Sequence, residues 1–407
     1  MKIAVGNSKP PSDPYNPSSR RHEMNSWLDK YFRGDRVIWL VVILLAFFSI
    51  LAVYSSTGTL AYKTKHGNTE FYLVKHLFIL FFGFALMYAA HLFRYTVYAR
   101  LANIIIGVAI PLLLFTLIMG TNRNEASRWL TLPIVNLSFQ TSDLAKLALI
   151  LFVARALSLR QDNIKDFKSA FLPIMLPVLI TCGLILPANF STAAVLFATC
   201  IILMLIGRIN LKYIASLVGI GIVAFGLFLG VSLAIGKEGR IMTWKARMES
   251  FFDGKDGSDS FQAQQANIAI AKGGMIGVGP GNSAQRNFLP HPYSDFIYAI
   301  IIEEYGMIGG VLIVVLYLVL LYRAVKIVSN SPRAFATFAA IGCAFSLVFQ
   351  AMINMAVTVG IFPVTGQPLP MLSMGGTSIW FTSIAIGIIL SVSRDIEKEG
   401  GLQAVEN

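Results

Sequence analysis

Charged side chains are scarce in this sequence. Asp, Glu, Lys and Arg make up 13% of the 407 residues, whereas hydrophobic residues make up 56%. Soluble domains carry about 25% charged residues, so this composition excludes an ordinary soluble domain and indicates a polytopic membrane protein. The net charge of +12 does not suggest nucleic-acid binding, because the basic residues cluster in short segments between apolar runs and no soluble basic domain is present.

Cysteine is rare, and nucleotide-binding motifs are missing. Cys182, Cys200 and Cys343 are widely spaced inside apolar runs, a pattern that excludes a disulfide framework and a zinc-type ligand set. No P-loop or dinucleotide fingerprint occurs. The GVGPG sequence at 277–281 lacks the flanking strand and helix of such a fingerprint, and we interpret it as a flexible loop.

Long apolar runs are what the sequence has in abundance. Ten of them have roughly the length at which a helix crosses a bilayer, and we therefore predict an all-α polytopic membrane protein of about ten transmembrane helices. A long loop, 236–294, separates the seventh and eighth spans. The runs cover residues 37–54, 72–93, 101–120, 144–159, 170–186, 192–206, 214–235, 296–321, 334–362 and 378–392.

The distribution of Lys and Arg predicts the orientation of these spans. Basic residues are concentrated in segment 1–36 and in the connections after the second, fourth, sixth, eighth and tenth spans, which places those segments in the cytoplasm. We therefore expect a cytoplasmic N-terminal tail at 1–36, a membrane domain at 37–393 and a cytoplasmic C-terminal tail at 394–407. Loop 236–294 is then extracytoplasmic.

One carboxylate stands at the edge of a predicted span. Asp295 ends a polar segment rich in Gly and Pro, and the apolar run begins at Phe296. A carboxylate at the membrane boundary is costly to place and is a functional candidate. An enzyme on the outer face needs a substrate that is already activated and already in the membrane, and a lipid-linked sugar diphosphate fits this description.

Further charges precede and begin the fourth span. Arg128 and Trp129 lie in the preceding loop, and Asp143 and Lys146 are three residues apart at the start of the span, so the last two share a helix face. Asp143 is equally well explained as a helix N-cap. Lys146 lies one turn deeper, where a lysine needs an anionic partner or ligand.

Polar residues also occur within the last spans. Glu303 and Glu304 are adjacent, so we expect at most one of them to face a shared cavity. Gln350 and Asn354 are four residues apart and lie on one helix face, where they can bond across to another helix or line a cavity. The Pro- and Gly-rich segment 363–378 predicts irregular backbone shielded by protein.

Four ordered motifs carry a family resemblance. FQTSDLAK, GPGNSAQ, FLPHPYSDFIYAIIIEEYG and PLPMLSMGGTS together resemble the shape, elongation, division and sporulation (SEDS) family of peptidoglycan glycosyltransferases. The resemblance covers residues 37–392, and the GNSAQ segment is more similar to the cell-division branch than to the elongation branch. It implies polymerisation of lipid II into glycan strands at the outer face of the cytoplasmic membrane, at the division septum.

The resemblance also implies roles for individual residues. Asp295 matches the family's catalytic aspartate, which is expected to act as general base in an inverting glycosyl transfer. The chain departs from the family at Asn189, Thr365 and Met374, where an acid, a lysine and a tyrosine are usual, and we exclude Asn189 and Thr365 from the catalytic set. The positions that match substrate-binding residue types are Arg128, Trp129, Asp143, Lys146, Arg247, Gln265 and Glu304.

The expected ligands and partners follow from this chemistry. A diphosphate leaving group needs charge neutralisation, which Arg128, Lys146, Arg247 or a divalent cation (Mg or Mn) bound with the substrate diphosphate can supply. The sequence contains no cluster of His, Asp and Glu that would predict a metal site built from protein ligands alone. No organic cofactor is expected. The expected partners are lipid II, the nascent glycan strand, a class B penicillin-binding protein transpeptidase and other divisome membrane proteins.

Two other functions remain open. Ten spans with intramembrane charges and broken helices also suit a lipid II flippase or other transporter, although the two halves show no convincing repeat and the charges gather at the outer edge. A noncatalytic divisome scaffold is the third possibility, and it would not need Asp295. The residues without the resemblance leave enzyme and transporter nearly level.

Overall fold

The structure is a computed structural model. It describes residues 33–65, 68–119, 121–123, 126–132, 137–221, 226, 258–329 and 331–406. Within these residues, seven helical segments are long and apolar enough to cross a membrane, and two shorter apolar helices accompany them. The protein is therefore a multi-pass membrane protein with an all-α membrane domain, as the sequence predicts.

The elements are numbered in chain order. The helices are α1 Arg36–Ser56, α2 Gly58–Lys65, α3 Thr69–Leu92, α4 Tyr95–Met119, α5 Thr141–Leu159, α6 Leu172–Ile185, α7 Phe190–Ile206, α8 Leu211–Gly221, α9 Ser258–Gly273, α10 Ile297–Ser329, α11 Ala334–Thr358 and α12 Thr377–Glu406. The strands are β1 Thr121–Arg123, β2 Ala126–Leu132 and β3 Leu137–Gln140. A π-helical turn, Phe167–Phe171, leads into α6, and 3₁₀ turns cover Gln161–Asn163 and Gln285–Asn287.

Each predicted span overlaps a helix in the described residues, and the bounds differ by a few residues, as at 359–362, which follow the end of α11. The predicted span 144–159 lies within α5, which begins at Thr141 and carries Asp143 in its first turn. The predicted span 214–235 coincides with α8 as far as residue 221, and most of its remainder lies outside the described residues. A segment that crosses the membrane must satisfy its backbone hydrogen bonds internally, so a long apolar run forms a helix. The lengths of the apolar runs were therefore enough to locate the membrane helices.

A small antiparallel sheet occupies the connection between α4 and α5. Strand β2 pairs with both β1 and β3, and Trp129 lies opposite Gln140 in the β2–β3 register. The sequence predicts a loop here, and this prediction is wrong. Because β3 ends at Gln140 and α5 begins at Thr141, the sheet fixes the position of the first turn of α5.

Helix α11 is the central helix of the described bundle. It packs against α5, α7, α10 and α12, and most of its side chains are buried. Gly342 allows the closest approach, since a Cβ there would lie 2.8 Å from a side-chain carbon of Ile150 and 2.9 Å from one of Leu203. Polar side chains on α11 therefore contact several other elements at once.

Helix α10 is broken at Gly306, where φ is 69° and ψ is −173°. The break is bridged by segment 274–279, which exchanges backbone hydrogen bonds with both halves. The N–H groups of Met307 and Ile308 donate to the carbonyls of residues 274 and 275 at 2.9 and 3.3 Å, and the N–H groups of residues 278 and 279 donate to the carbonyls of Glu303 and Glu304 at 2.9 and 3.0 Å. Segment 277–281 is a loop, as the sequence predicts, but residues 278 and 279 are hydrogen-bonded to α10, because backbone groups at a helix break need partners.

A set of polar contacts closes the opposite end of the bundle. Asp35 caps α1 by accepting from the N–H of Val37 at 2.9 Å, and its other carboxylate oxygen lies 2.5 Å from a guanidinium nitrogen of Arg323 near the end of α10. Arg394 donates to the carbonyl of His91 at 2.6 Å at the end of α3. Because Asp295 precedes α10 and Arg323 lies near its end, the two sites are at opposite ends of the bundle.

Candidate active site

Asp295 lies at the junction between segment 274–294 and α10. The hydroxyl of Ser294 donates to Oδ1 of Asp295 at 2.7 Å. On the other side, the backbone of Gly366 approaches Oδ2, since a Cβ built on Gly366 would lie 3.5 Å from that oxygen. Gly366 has a φ of +64°, a conformation that glycine adopts without strain, so the chain turns beside the carboxylate with no intervening side chain.

The backbone before α10 is held by three donors in succession. The carbonyls of residues 293–295 accept one hydrogen bond each: from the N–H of Met374 at 2.9 Å, from Oγ of Ser373 at 2.6 Å and from Nδ2 of Asn354 at 2.9 Å. Ser373 also accepts from the N–H of Leu369 at 2.8 Å. The segment that carries the Asp295 carboxylate is thus fixed to segment 363–376 and to α11.

A buried ion pair between Asp143 and Lys146 is the second charged feature of the site, after the Asp295 carboxylate. The ammonium of Lys146 lies 2.7 Å from Oδ1 of Asp143, and Asp143 is 3% exposed. Lys146 also donates to Oε1 of Gln350 at 3.1 Å, and Gln350 donates in turn to the carbonyl of Pro368 at 2.9 Å. Gln350 therefore connects the ion pair to the same segment, 363–376, that borders Asp295.

The ion pair lines a small cavity of about 40 Å³, open on one side. Hydroxyl and amide groups of α11 and α12 share the wall with apolar side chains. The lining residues are Asp143, Lys146, Leu147, Ile150, Cys343, Ser346, Leu347, Gln350, Pro370, Ser378, Phe381, Thr382 and Ala385. The cavity can hold a polar group inside the bundle, since it combines a carboxylate, an ammonium and several hydroxyls.

The N-cap explanation of Asp143 does not describe the structure. The N-cap of α5 is Gln140, which makes no side-chain cap hydrogen bond, and Asp143 lies in the first turn. Oδ1 of Asp143 pairs with Lys146, whereas Oδ2 is buried and has no hydrogen-bond partner among the described residues. Lys146 has the anionic partner that its depth requires, and the two charges cancel.

Glu304 lies away from these groups. Its Oε1 accepts from the Ser55 hydroxyl in a short hydrogen bond and from the N–H of Ser283 at 3.3 Å. Glu303 contacts the same part of the chain, segment 281–285. It accepts from the Ser283 hydroxyl in a short hydrogen bond and from the N–H of Ala284 at 3.0 Å. Both acids thus contact the same loop, and the expectation that at most one of them faces a shared cavity stays a prediction. The two carboxylates anchor segment 281–285, and Glu304 connects it to α1.

The remaining predicted site residues are only partly described. Arg128 and Trp129 lie on β2, and the description of this strand is limited to its backbone. Arg247 lies outside the described residues. Gln265 lies half-buried on α9, which packs against α10.

The sequence predicted the role of Asn189 correctly but did not identify two serines near Asp295. Asn189 was interpreted as a turn and helix start, and this is confirmed, because its side chain caps α7 through the N–H of Thr192 at 3.3 Å. Ser294 and Ser373 were missed. Single serines are common in loops and carry no distinctive pattern. For Ser294, its position next to Asp295 was the one sequence feature that pointed to a role in the site.

The electrostatics around Asp295 include one ionisable neighbour outside the spans. Burial raises the pKa of the Tyr293 phenol, and the nearby Tyr72 and Asp295 groups raise it further. Tyr293 therefore stays neutral at physiological pH and adds no charge beside the carboxylate. Within the described residues, no group of three or more His, Cys, Asp or Glu side chains is placed to hold a metal ion.

Three comparisons with known proteins agree. Residues 35–398 match the FtsW, RodA and SpoVE family model, described as a cell cycle protein. The chain is 32% identical over 365 residues to stage V sporulation protein E of Bacillus subtilis (strain 168), covering 88% of this chain and 97% of that protein. It is 34% identical over 364 residues to the probable peptidoglycan glycosyltransferase FtsW of Geobacter sp. (strain M18), covering 88% and 96%.

Solved structures show the same fold. A chain from a peptidoglycan synthase complex that coordinates polymerization and crosslinking is 25% identical, with a TM-score of 0.72, covering 89% of this chain and 98% of that chain. The rod shape determining protein RodA of Thermus thermophilus is 24% identical, with a TM-score of 0.65, covering 89% and 97%. Both likenesses extend over nearly the whole described bundle.

Proposed function

From the premise that this chain belongs to the FtsW, RodA and SpoVE family of cell cycle proteins, we propose that it polymerises lipid II into glycan strands with Asp295 as general base. The chain is a peptidoglycan glycosyltransferase, like the relatives that share about a third of its residues. The observation that carries the role of Asp295 is its fixed carboxylate, held by Ser294 at 2.7 Å on a backbone with three consecutive hydrogen-bonded carbonyls.

The proposed reaction is a single displacement. The 4-hydroxyl oxygen of the acceptor GlcNAc attacks the anomeric carbon of the donor strand, and its proton passes to the Asp295 carboxylate. The bond from the anomeric carbon to the diphosphate breaks on the opposite face, so the configuration inverts from α to β. The lipid diphosphate departs with the electron pair, and a positioned general base contributes about 10²- to 10⁴-fold to such a step.

The Asp143–Lys146 pair is proposed to bind polar substrate groups at the cavity. The two charges cancel, so the pair is poorly suited to neutralise a diphosphate without help. Arg128 and Arg247 are the other basic residues proposed for that task. The Lys146 ammonium instead suits acceptors on the substrate, such as sugar hydroxyl oxygens and amide carbonyls.

A divalent cation is proposed to accompany the substrate diphosphate. Mg²⁺ and Mn²⁺ at phosphate sites need only one or two protein carboxylates, which is compatible with the described residues, where no three-ligand cluster occurs. Asp143 is the first candidate, because its Oδ2 is buried without a hydrogen-bond partner in the described part of the chain. When bound, such a cation would neutralise charge on the leaving diphosphate.

The proposed setting is the cytoplasmic membrane at the division septum. Both termini are proposed to lie in the cytoplasm, so the end of the bundle with Asp295 faces outward. A class B penicillin-binding protein is the proposed partner. The likeness to a chain of a peptidoglycan synthase complex supports this, since that complex coordinates polymerization with crosslinking.

One assay tests the proposed role of Asp295. Purified full-length protein in vesicles, with and without a class B transpeptidase, is given lipid II, and glycan polymer is measured by gel electrophoresis. Asp295→Asn should abolish polymer, whereas the matched variant Asp166→Asn, at an exposed position before α6, should keep it. Polymer formed by Asp295→Asn at the wild-type rate would remove Asp295 from its role. Movement of lipid II across the vesicle membrane without polymer would instead support the flippase.

A further inference from the structure

Asn354 holds two backbone carbonyls with one amide. The side chain is 2% exposed, and its Nδ2 donates to the carbonyl of Asp295 at 2.9 Å and to the carbonyl of Gln367 at 2.7 Å. Because both partners are oxygen acceptors, the nitrogen of the amide must face them, and the hydrogen-bond network fixes the amide orientation. Both hydrogens of the NH₂ group are thereby used.

The two carbonyls belong to the two segments that border the Asp295 carboxylate. Asp295 carries the carboxylate itself, and Gln367 follows Gly366, whose backbone lies beside Oδ2. A single side chain on α11 therefore sets the distance between the carboxylate and the chain that turns past it.

The same face of α11 also reaches the ion pair. Gln350, one turn before Asn354, accepts from Lys146 and donates to the carbonyl of Pro368, the residue after Gln367. Polar residues in membrane helices often serve only to hold helices together. Here, however, Asn354 bonds to irregular backbone next to a carboxylate and not to another helix, so its contacts act on the geometry of Asp295.

We propose that Asn354 is a positioning residue for Asp295, an inference that rests on the proposed general-base role. It acts through the backbone of Asp295 and does not touch substrate. Displacing a catalytic group by about 1 Å can cost on the order of 100-fold in rate. Loss of the amide should therefore lower kcat and leave substrate binding nearly intact.

Two substitutions and one control separate positioning from stability. Asn354→Ala removes the donor, and Asn354→Asp keeps the shape while placing oxygens against the two carbonyls. Thr358→Val is the matched control, because Thr358 lies one turn further along α11, is 1% exposed, and donates only to the carbonyl of Asn354 at 2.9 Å within its own helix. The full-length variants are assayed in vesicles for kcat and KM with lipid II, and their folded fraction is measured by thermal unfolding.

The expected result is a fall in kcat on the order of 100-fold for both Asn354 variants, with KM within about threefold of wild type. Thr358→Val should keep the wild-type kcat. The inference is overturned if Asn354→Ala keeps the wild-type kcat, loses kcat only in proportion to its folded fraction, or raises KM at unchanged kcat. An inactive Asp295→Asn with a fully active Asn354→Ala would overturn this inference alone, whereas an active Asp295→Asn would overturn the proposed function.

Discussion

The ammonium of Lys146 lies 2.7 Å from the Asp143 carboxylate inside the bundle. The contact joins residues three apart on α5, and Gln350 of α11 completes it by accepting a second hydrogen bond from Lys146. The pair adds two charges but no net charge to the cavity. Its contribution to folding can therefore be tested by removing one charge or both.

Removing one partner of this pair should destabilise the protein. Lys146→Met leaves Asp143, which is 3% exposed, as an unpaired buried charge, and breaking a buried pair in this way costs about 3–5 kcal/mol. The double variant Asp143→Asn with Lys146→Met should recover most of the loss, because neither charge remains. Thermal unfolding of the purified variants measures the change.

Lys326→Met is the control for that experiment, since Lys326 is an exposed lysine near the end of α10 and its replacement should change the melting temperature little. Equal melting temperatures for Lys146→Met and the double variant would contradict the interpretation of a coupled pair.

Glu304 should hold segment 281–285 in place. Glu304→Ala removes the acceptor for the Ser55 hydroxyl and for the N–H of Ser283. Leaving such buried groups without a partner costs about 1–3 kcal/mol. Hydrogen exchange at the Ser283 amide should therefore become faster by roughly ten- to a hundredfold, which mass spectrometry of peptides covering 281–285 can measure.

Glu70→Ala serves as the comparison, because Glu70 is an exposed acid in the first turn of α3. Unchanged protection of Ser283 in Glu304→Ala would show that the anchoring comes from Glu303 or from the backbone contacts alone.

The membrane helices could be predicted from the sequence because run length and hydropathy determine them directly. The shared face of Gln350 and Asn354 was likewise predicted, since residues four apart on a helix point the same way. The pairing of Asp143 with Lys146 follows from the same periodicity, although the sequence left an N-cap as an equal alternative.

What the sequence did not predict depends on backbone breaks and on contacts distant along the chain. Glu303 and Glu304 both accept hydrogen bonds from segment 281–285, which lies about 20 residues earlier in the chain. The sheet at 121–140 was missed because its outer strands, β1 and β3, have only three and four residues. The hydrogen bonds to the carbonyls of residues 293–295 come from donors about 60 and 80 residues away in the chain. Local sequence patterns cannot predict such distant contacts.

The two ends of the bundle should face opposite sides of the membrane. Asn282 is exposed near the Asp295 end and Asn163 is exposed in the connection after α5. In the proposed orientation, Asn282→Cys should react with a membrane-impermeant maleimide in spheroplasts, and Asn163→Cys should react only after permeabilisation. The natural background is low because Cys182, Cys200 and Cys343 are buried. Labelling of Asn163→Cys but not of Asn282→Cys in intact spheroplasts would show that the orientation is the opposite of the proposed one.

Gly306 should be the least replaceable glycine of α10. Its φ of 69° and ψ of −173° belong to a region that is essentially restricted to glycine, so a side chain there costs about 1–3 kcal/mol in backbone strain alone. A Cβ would also lie 2.3 Å from the carbonyl oxygen of Met275, which the backbone hydrogen bonds across the break hold in place. Gly306→Ala should therefore lower the melting temperature sharply or prevent the purification of folded protein.

Gly107→Ala is the matched control, because Gly107 lies inside α4 and a Cβ there meets nothing within 4 Å. Alanine is favoured over glycine within helices by up to about 1 kcal/mol, so this variant should be as stable as the wild type or slightly more stable. Size-exclusion chromatography and thermal unfolding of both variants in the same detergent make the comparison. If Gly306→Ala melted at the same temperature as Gly107→Ala, α10 would have to pass through this point as a continuous helix, and the bridge from 274–279 would not be needed to satisfy its backbone.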